Sequence, residues 1–322
     1  MLSIPFRASL RASLPARRSA VSAAVAATLA LTIATAPVGA KPARADDPIY
    51  LGWTALLPPL LDQYTPSQAA ECGNGDPSCV NATIARMTDQ FNQLTSTCDH
   101  RALFSLAYLR TTQKYQDVAA EPGYFDDPAY VNTEDAVFAA YYFRAYDDWT
   151  AGNISALPTA WQIAFSAATG KKVSGVGDFL LGMNAHINRD LPFVLASLGL
   201  VTPGGASRKP DHDQVNVFLN QVINPLLQEA AARFDPSVTD LSTPYGITWT
   251  AFMQIIEAWR QAAWTNAELL VDAPTAAARA VVARTIETTA ATEATTLRTT
   301  YSYVPLVMTT GPRDAYCQAH HG

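Results

Sequence analysis

The sequence has few of the short motifs that mark common enzyme folds. It contains no glycine-rich nucleotide loop, no G-x-S-x-G nucleophile motif and no H-E-x-x-H zinc motif. No repeat of fixed period is visible, so a solenoid or a propeller is not expected. No run of alternating apolar and polar residues lies between hairpin turns, and this absence argues against a β-sheet fold.

Helical spacing of apolar residues is what the chain has instead. The segments from Asn81 to His100 and from Trp249 to Val271 place apolar side chains three and four positions apart. Prolines and glycines separate such segments along the chain. The pattern predicts an all-α fold, an irregular multi-helix single domain of about eight helices.

The first 45 residues are typical of a secretory signal peptide. Four arginines precede an apolar run over positions 19–36, and a small-residue cleavage signature ends at Ala45. An uncleaved membrane anchor is the alternative, since the run is just long enough to span a bilayer. We predict cleavage after Ala45, which leaves residues 46–322 as one domain without a stable membrane span, secreted or held at the cell envelope. The Sec route is expected, and Arg17-Arg18 also permits the twin-arginine route.

Basic residues are scarce once that peptide is removed. The chain has 22 basic and 28 acidic residues, and six of the basic ones lie in the first 45 positions. The remaining chain would carry a formal net charge of −12. So acidic a protein is not expected to bind nucleic acid or an anionic membrane surface, whereas metal ions and cationic or neutral small molecules are compatible partners.

Four cysteines in an exported chain indicate disulfide bonds. No C-x-x-C pair occurs, which makes a zinc site a poor interpretation of these cysteines. Of the three possible pairings we expect Cys72 with Cys79, across a turn-rich loop. That choice leaves Cys98 with Cys317, a bond that would attach the C-terminal tail to the body of the protein.

The segment from Gly175 to Phe193 is apolar almost all round, which is typical of an element buried in a protein interior. Polar residues nevertheless lie inside it, among them His186 and Asp190. Buried polar groups are usually hydrogen-bonded, paired or bound to a metal. On a helix these two residues share one face, which fits either two ligands of one metal or a hydrogen bond between imidazole and carboxylate.

Only three histidines lie in the body of the chain: His100, His186 and His212. One hypothesis brings them together with Asp190 as ligands of a divalent metal such as zinc or manganese, with one position open for a water nucleophile. Asp213 or Asp211 would then act as the general base. The protein would be a metal-dependent hydrolase, for example one that acts on phosphoesters.

The competing interpretation is a structural network in a non-catalytic binding or cell-envelope protein with a small or unknown ligand. His186 would then be a core histidine bonded to Asp190, and Asp190 would pair with an arginine such as Arg189. Asp211 and Asp213 would cap the next helix, since the polar segment that contains them is predicted to be a loop. A metal-free catalytic or ligand site is the third interpretation.

The neighbouring acids Glu134 and Asp135 could supply paired carboxylates for glycoside chemistry. Their position after Asn132 and Thr133 is more typical of the first turn of a helix, where acidic side chains are usually solvated. We therefore assign them no function from the sequence.

Two enzyme families share single motifs with the chain. His212-Asp213, with His186 upstream, resembles the H…HD…D order of the all-α HD phosphohydrolases, although no distal Asp is clearly placed. The H-x-x-x-D of His186 and Asp190 resembles half of the site of zinc phospholipase C, which needs about five histidines.

A third resemblance covers more of the chain. The blocks CDHRALFSLAYLRTT, YVNTEDAVFAAYYFRAYDDW, GDFLLGMNAHINRDLPF and RKPDHDQVN resemble the DUF5995 family, over a stretch from about Trp53 to Cys317. The resemblance implies an exported or cytosolic protein, mostly known from actinobacteria, of unassigned function. It assigns no catalytic residue.

Overall fold

The structure is a computed structural model, and it describes residues 72–304 and 309–321. Within these ranges it confirms the all-α prediction, because ten α-helices form one domain and no strand occurs. Two isolated β-bridges, Val173 with Ser302 and Val201 with Ser207, are the only extended pairings in this part of the chain. The predicted signal peptide and the predicted domain start at position 46 lie outside the described residues.

The helices follow one another with short connections. They are α1 (Ser78–Thr95), α2 (Ala102–Ala119), α3 (Pro128–Thr150), α4 (Thr159–Thr169), α5 (Gly175–Met183), α6 (Leu191–Leu198), α7 (Lys209–Arg233), α8 (Trp249–Asp272), α9 (Ala276–Thr300) and α10 (Gly311–His320). Short 3₁₀ turns occur at Ile154–Ala156 and Pro236–Val238. Among the described helices, none combines the length and the apolar character that crossing a bilayer would require.

Helix α3 begins one turn earlier than the sequence suggested. Asp127 is its N-cap, since the carboxylate accepts a hydrogen bond from the Tyr130 backbone N–H at 3.1 Å, and Pro128 occupies the first helical position. The predicted start near Asn132 is therefore wrong. Glu134 and Asp135 lie about two turns into α3, where Glu134 is buried and Asp135 is half-buried.

A π-helical segment, Asn184–Asp190, joins α5 directly to α6 and lies at the centre of the fold. We call it the π segment. The burial predicted for this stretch is confirmed, because Phe179, Leu181, Ala185 and Leu191 are completely buried. Pro192 lacks the N–H that the regular α-helical ladder would need at that position, which is compatible with a widened turn just before it. Such π turns are often found at functional sites.

Gly182 permits the close packing of α5 against α2. A Cβ atom at this position would lie 2.4 Å from Cγ of Phe104, well inside van der Waals contact. Only glycine therefore fits without moving Phe104. This close approach holds the π segment, which follows α5, beside the face of α2 that carries Phe104 and Tyr108.

Both predicted disulfide bonds are formed. Cys72 bonds Cys79, and Cys98 bonds Cys317 across a separation of 219 residues, with their Cα atoms 6.0 Å apart. The second bond ties α10 to the connection between α1 and α2. Disulfides of this kind are typical of proteins that fold in an oxidising compartment.

Candidate ligand-binding site

Asp190 holds His186 in one orientation. Nδ1 of His186 lies 3.1 Å from Oδ2 of Asp190, and Nε1 of Trp161 donates to the same oxygen at 2.9 Å. Arg189 donates to the other carboxylate oxygen at 2.9 Å. Since the carboxylate accepts, Nδ1 of His186 carries the proton, and Nε2 is left with a lone pair. The contact between imidazole and carboxylate is thus one of the two arrangements expected from the sequence.

The His186 ring lies among aromatic side chains. It stacks on Phe138 with the ring centroids 3.5 Å apart and the planes 2° from parallel, and Tyr108 lies edge-on at 4.6 Å. Burial lowers the pKa of His186, and the Asp190 carboxylate opposes this effect only in part. The ring is therefore a neutral hydrogen-bond acceptor near pH 7.

A cavity of about 100 Å³ adjoins this ring, and α2, α3, the end of α5, the π segment, α7 and α8 form its wall. Its aromatic lining residues are Phe104, Tyr108, Tyr115, Phe138 and Phe218. Its polar lining residues are Thr111, Thr112, Glu134, Asp135, His186 and Arg260. Aliphatic side chains cover the remaining wall. Largely apolar cavities with a few converging polar groups are typical of small-molecule sites.

Four residues of the cavity wall carry a buried polar atom without a hydrogen-bond partner. These atoms are Oη of Tyr108, Oγ1 of Thr112, Oδ2 of Asp135 and Nε2 of His186. A buried polar atom left unpaired costs about 1–3 kcal/mol. Their concentration around one cavity indicates that a bound molecule, or water, supplies the missing partners.

The two acidic residues of the wall are held in different electrostatic surroundings. Burial raises the pKa of Glu134 to about 7, although the positive charge of Arg260 lowers it. Burial and the charge of Glu134 together raise the pKa of Asp135 to about 8. Arg260 also donates from Nε to Asn216 and from Nη2 to the backbone oxygen of His212, at 2.8 and 2.7 Å. The ionised form of Asp135 is thus destabilised more strongly than the ionised form of Glu134.

We expect Asp135 to lower the stability of the protein progressively as the pH rises from about 4 to about 8. Over that range the folded protein keeps the Asp135 proton, since its pKa is raised to about 8, while the unfolded chain releases it. Asp135→Asn should remove much of this fall, as measured by urea denaturation at several pH values. Asp147→Asn, on a side chain that is 62% exposed, is the matched control. Identical pH profiles for Asp135→Asn and the unmodified protein would contradict the assignment.

His212 does not join His186. The predicted loop around it is wrong, because α7 already begins at Lys209 and His212 is 1% exposed in its first turn. Nε2 of His212 lies 3.2 Å from the backbone oxygen of Arg260, and Nδ1 lies 3.2 Å from Nη2 of Arg260. Both ring nitrogens therefore face α8.

The remaining predicted site residues, His100, Asp211 and Asp213, bond to groups outside the cavity. His100 Nε2 bonds Asp314 at 2.8 Å, and burial together with the Arg313 charge lowers the pKa of His100 to about 4. Asp211 accepts the backbone N–H groups of residues 126 and 127, and so fixes the loop before α3. Asp213 pairs with Lys209 at 2.5 Å. Each of these groups has a structural partner.

The structure does not bring the four predicted metal ligands together. Among the described residues, one set of three His, Cys, Asp or Glu side chains has ligand atoms within 4.8 Å of one another, namely Cys98, Cys317 and His321. Its two sulfur atoms form a disulfide bond and are not free to bind a metal. His186 and Asp190 meet each other, whereas His100 and His212 belong to separate networks.

Several residues of the cavity were not identified from the sequence: Tyr108, Thr112, Glu134, Asp135 and Arg260. The signal for the acids was Asp127-Pro128, an N-cap followed by proline, which starts α3 early enough to bury them. From that start, Asp135 and Phe138 are three residues apart and share one helix face. No local signal in the sequence relates Tyr108 or Arg260 to His186, because these contacts join different helices.

The comparison with known families agrees with the resemblance in the sequence. The model of DUF5995, described as a family of unknown function, matches residues 80–300, which include every residue that lines the cavity. Neither a curated protein nor a solved structure matches the chain significantly. Since the matched region spans more than half of the sequence, the chain belongs to the DUF5995 family.

Proposed function

We propose that this protein is exported and binds a small, largely apolar molecule in the cavity beside His186. The observation that carries the proposal is the lone pair on Nε2 of His186, buried and unpaired in the wall of an aromatic cavity. A ligand with a hydrogen-bond donor would pair with this atom and fill the apolar space. Nε2 of His186 would then no longer be left unpaired at a cost to the stability of the fold.

The size of the cavity suits a small organic molecule. One water needs about 10–15 Å³ of such space, so 100 Å³ accommodates several waters or a compact ring compound. The aromatic rings of the wall offer large contact areas at fixed positions. Ligands of this size are expected to bind with dissociation constants in about the micromolar to millimolar range.

Export is supported by the two disulfide bonds, which persist in oxidising surroundings. The arginine-rich start and the apolar run of the first 45 residues agree with this proposal. A free small molecule outside the cytoplasm would then be the natural ligand class.

Metal-dependent hydrolysis of phosphoesters stays a prediction from the sequence. Nδ1 of His186 bonds Asp190, and His100 and His212 lie in other networks. Metal content measured by mass spectrometry on protein purified without chelator checks this prediction, with His186→Ala as the comparison. Stoichiometric zinc or manganese that is lost in the variant would restore the metal hypothesis.

Filling the cavity should abolish ligand binding. Val215 lines the cavity on α7, while Val217 on the same helix is 39% exposed. We expect Val215→Phe to lose binding of a small aromatic probe such as 2-phenylethanol, because the added ring occupies the space of the ligand. Val217→Phe should bind the probe as the unmodified protein does. Saturation-transfer NMR and calorimetry measure both.

Two results would contradict the proposal. One is the absence of binding by the unmodified protein to any member of a panel of small aromatic compounds. The other is undiminished binding by Val215→Phe, which would place the probe elsewhere. A thermal denaturation curve for each variant shows that a loss of binding does not come from unfolding.

A further inference from the structure

The cavity wall presents two buried acceptor atoms, on His186 and Asp135, to a bound molecule, beside the hydroxyl groups of Tyr108 and Thr112, which can donate or accept. Nε2 of His186 is an acceptor because Nδ1 carries the proton toward Asp190. Oδ2 of Asp135 is buried without a partner and accepts when the carboxyl is ionised. Arg260, the cationic residue of the wall, donates to the backbone of His212 and to Asn216. A molecule that donates several hydrogen bonds is the natural complement of such a wall.

The aromatic side chains favour a positive charge in the same place. Phe104, Tyr108 and Phe138 surround His186 with centroid distances of 5.9, 4.6 and 3.5 Å. Tyr115, also on α2, and Phe218 on α7 have ring centroids 6.2 Å apart. Ring faces attract cations, most strongly when water is excluded. A neutral donor would not gain this attraction.

Asp135 would be the counter-ion. Its unpaired oxygen lies in α3 one helical turn before Phe138, the ring that stacks on His186. The positive charge of Arg260 lowers the pKa of the neighbouring Glu134 and so stabilises its ionised form. The negative charge of Glu134 raises the pKa of Asp135 and so destabilises its ionised form. Of the two carboxylates, Asp135 therefore has the more to gain from a positive charge placed in the cavity.

We infer that the ligand is a small organic amine with an apolar body, whose ammonium group pairs with Asp135 while its ring or chain fills the aromatic cavity. This inference rests on the proposed function and names the chemical class of its ligand. His186 accepts one N–H of the ammonium group, or a second donor of the ligand, at Nε2. The acidic net charge of the chain favours the approach of such a cation.

Binding of an amine should release a proton below about pH 8. The titratable groups that interact electrostatically with Asp135 are Glu134 on its own helix and Tyr108 and Tyr115 on α2, while His186 and Arg260 line the same cavity. Of these, Glu134 raises the pKa of Asp135, which reaches about 8 in the free protein. An ammonium group stabilises the ionised carboxylate, so the proton leaves when the amine binds. A neutral ligand leaves the proton in place.

The test compares two probes of the same shape, 2-phenylethylamine and 2-phenylethanol, by calorimetry near pH 7 in two buffers of different ionisation enthalpy. The amine, like a lysine side chain, is protonated at this pH. The expected result is that the amine binds about tenfold more tightly or better and releases a proton, whereas the alcohol releases none. Asp135→Asn should remove the advantage of the amine over the alcohol. Asp147→Asn, the same substitution at an exposed position of α3, should change neither affinity.

The possible outcomes distinguish a failure of the amine inference from a failure of the proposed function. Equal affinities for amine and alcohol, or an amine advantage that survives in Asp135→Asn, would overturn the inference and leave the proposed function intact. Failure of both probes to bind the unmodified protein would contradict the proposed function itself. An amine advantage that Asp147→Asn also removes would show that long-range charge, and not Asp135, selects the cation.

Discussion

Replacement of Cys98 and Cys317 by serine is expected to lower the free energy of unfolding by about 5 kcal/mol, because the disulfide closes a very long loop in the unfolded chain. The separation between the two cysteines is 219 residues. In the chain-entropy account, a covalent link of this span removes much of the freedom of the unfolded ensemble. The loss is comparable to half or more of the stability of a typical domain.

Helix α10 depends on this link and on a buried ionic cluster. Arg313 donates to Asp178 at 2.7 Å, with both side chains at least 95% buried. Asp314 bonds His100 at 2.8 Å. Without the disulfide, detachment of α10 would expose these paired charges to water, so local opening should precede global unfolding.

The matched control is removal of the other disulfide. Cys72 and Cys79 are separated by 7 residues, and the same account expects a cost of about 2.5 kcal/mol for their replacement by serine. Urea denaturation under non-reducing conditions measures both double variants. Equal losses for the two pairs would contradict the explanation by loop length, as would an unchanged stability of the Cys98/Cys317 variant.

Asp190→Ala is expected to cost about 3–5 kcal/mol of stability, because it leaves buried donors without their acceptor. Asp190 is 1% exposed and accepts from Trp161, His186 and Arg189. Without the carboxylate, the His186 ring would also be free to change its proton position and its orientation. Binding of the cavity ligand should therefore weaken even under conditions in which the variant stays folded.

Glu287→Ala is the control that separates the role of Asp190 as a buried acceptor from the loss of any ion pair with Arg189. Glu287 is the second acceptor of Arg189, at 2.8 Å, but its side chain is 35% exposed. Removal of such a partner costs about 1 kcal/mol or less. Equilibrium denaturation and probe titration of both variants give the comparison. Similar losses from Asp190→Ala and Glu287→Ala would show that Asp190 has no special role at the centre of the fold.

The fold was predictable because its signals are local. Apolar spacing indicated the helices, proline and glycine indicated their ends, and the cysteine positions indicated the disulfides. The burial of the stretch from Gly175 to Phe193 and the contact of His186 with Asp190 followed from composition and spacing alone. The π turn was not predicted, since residues four apart lie close together in both α and π geometry.

The cavity was not predictable from local patterns, because its wall comes from distant segments. Tyr108 and His186 are joined only by the packing of α2 on α5, and Arg260 reaches the wall from α8. The metal hypothesis grouped histidines by their type. In the structure His212 faces Arg260 and His100 faces Asp314, so residue type alone did not show which groups meet.

The most direct test of a ligand site beside His186 is a crystal structure of the protein grown with saturating 2-phenylethylamine. We predict electron density for the probe in the cavity, with its ring against Phe138 or Tyr108 and its nitrogen within hydrogen-bond distance of the Asp135 carboxylate. A cavity that holds only water at saturation, or a probe bound only at the outer surface, would contradict the account.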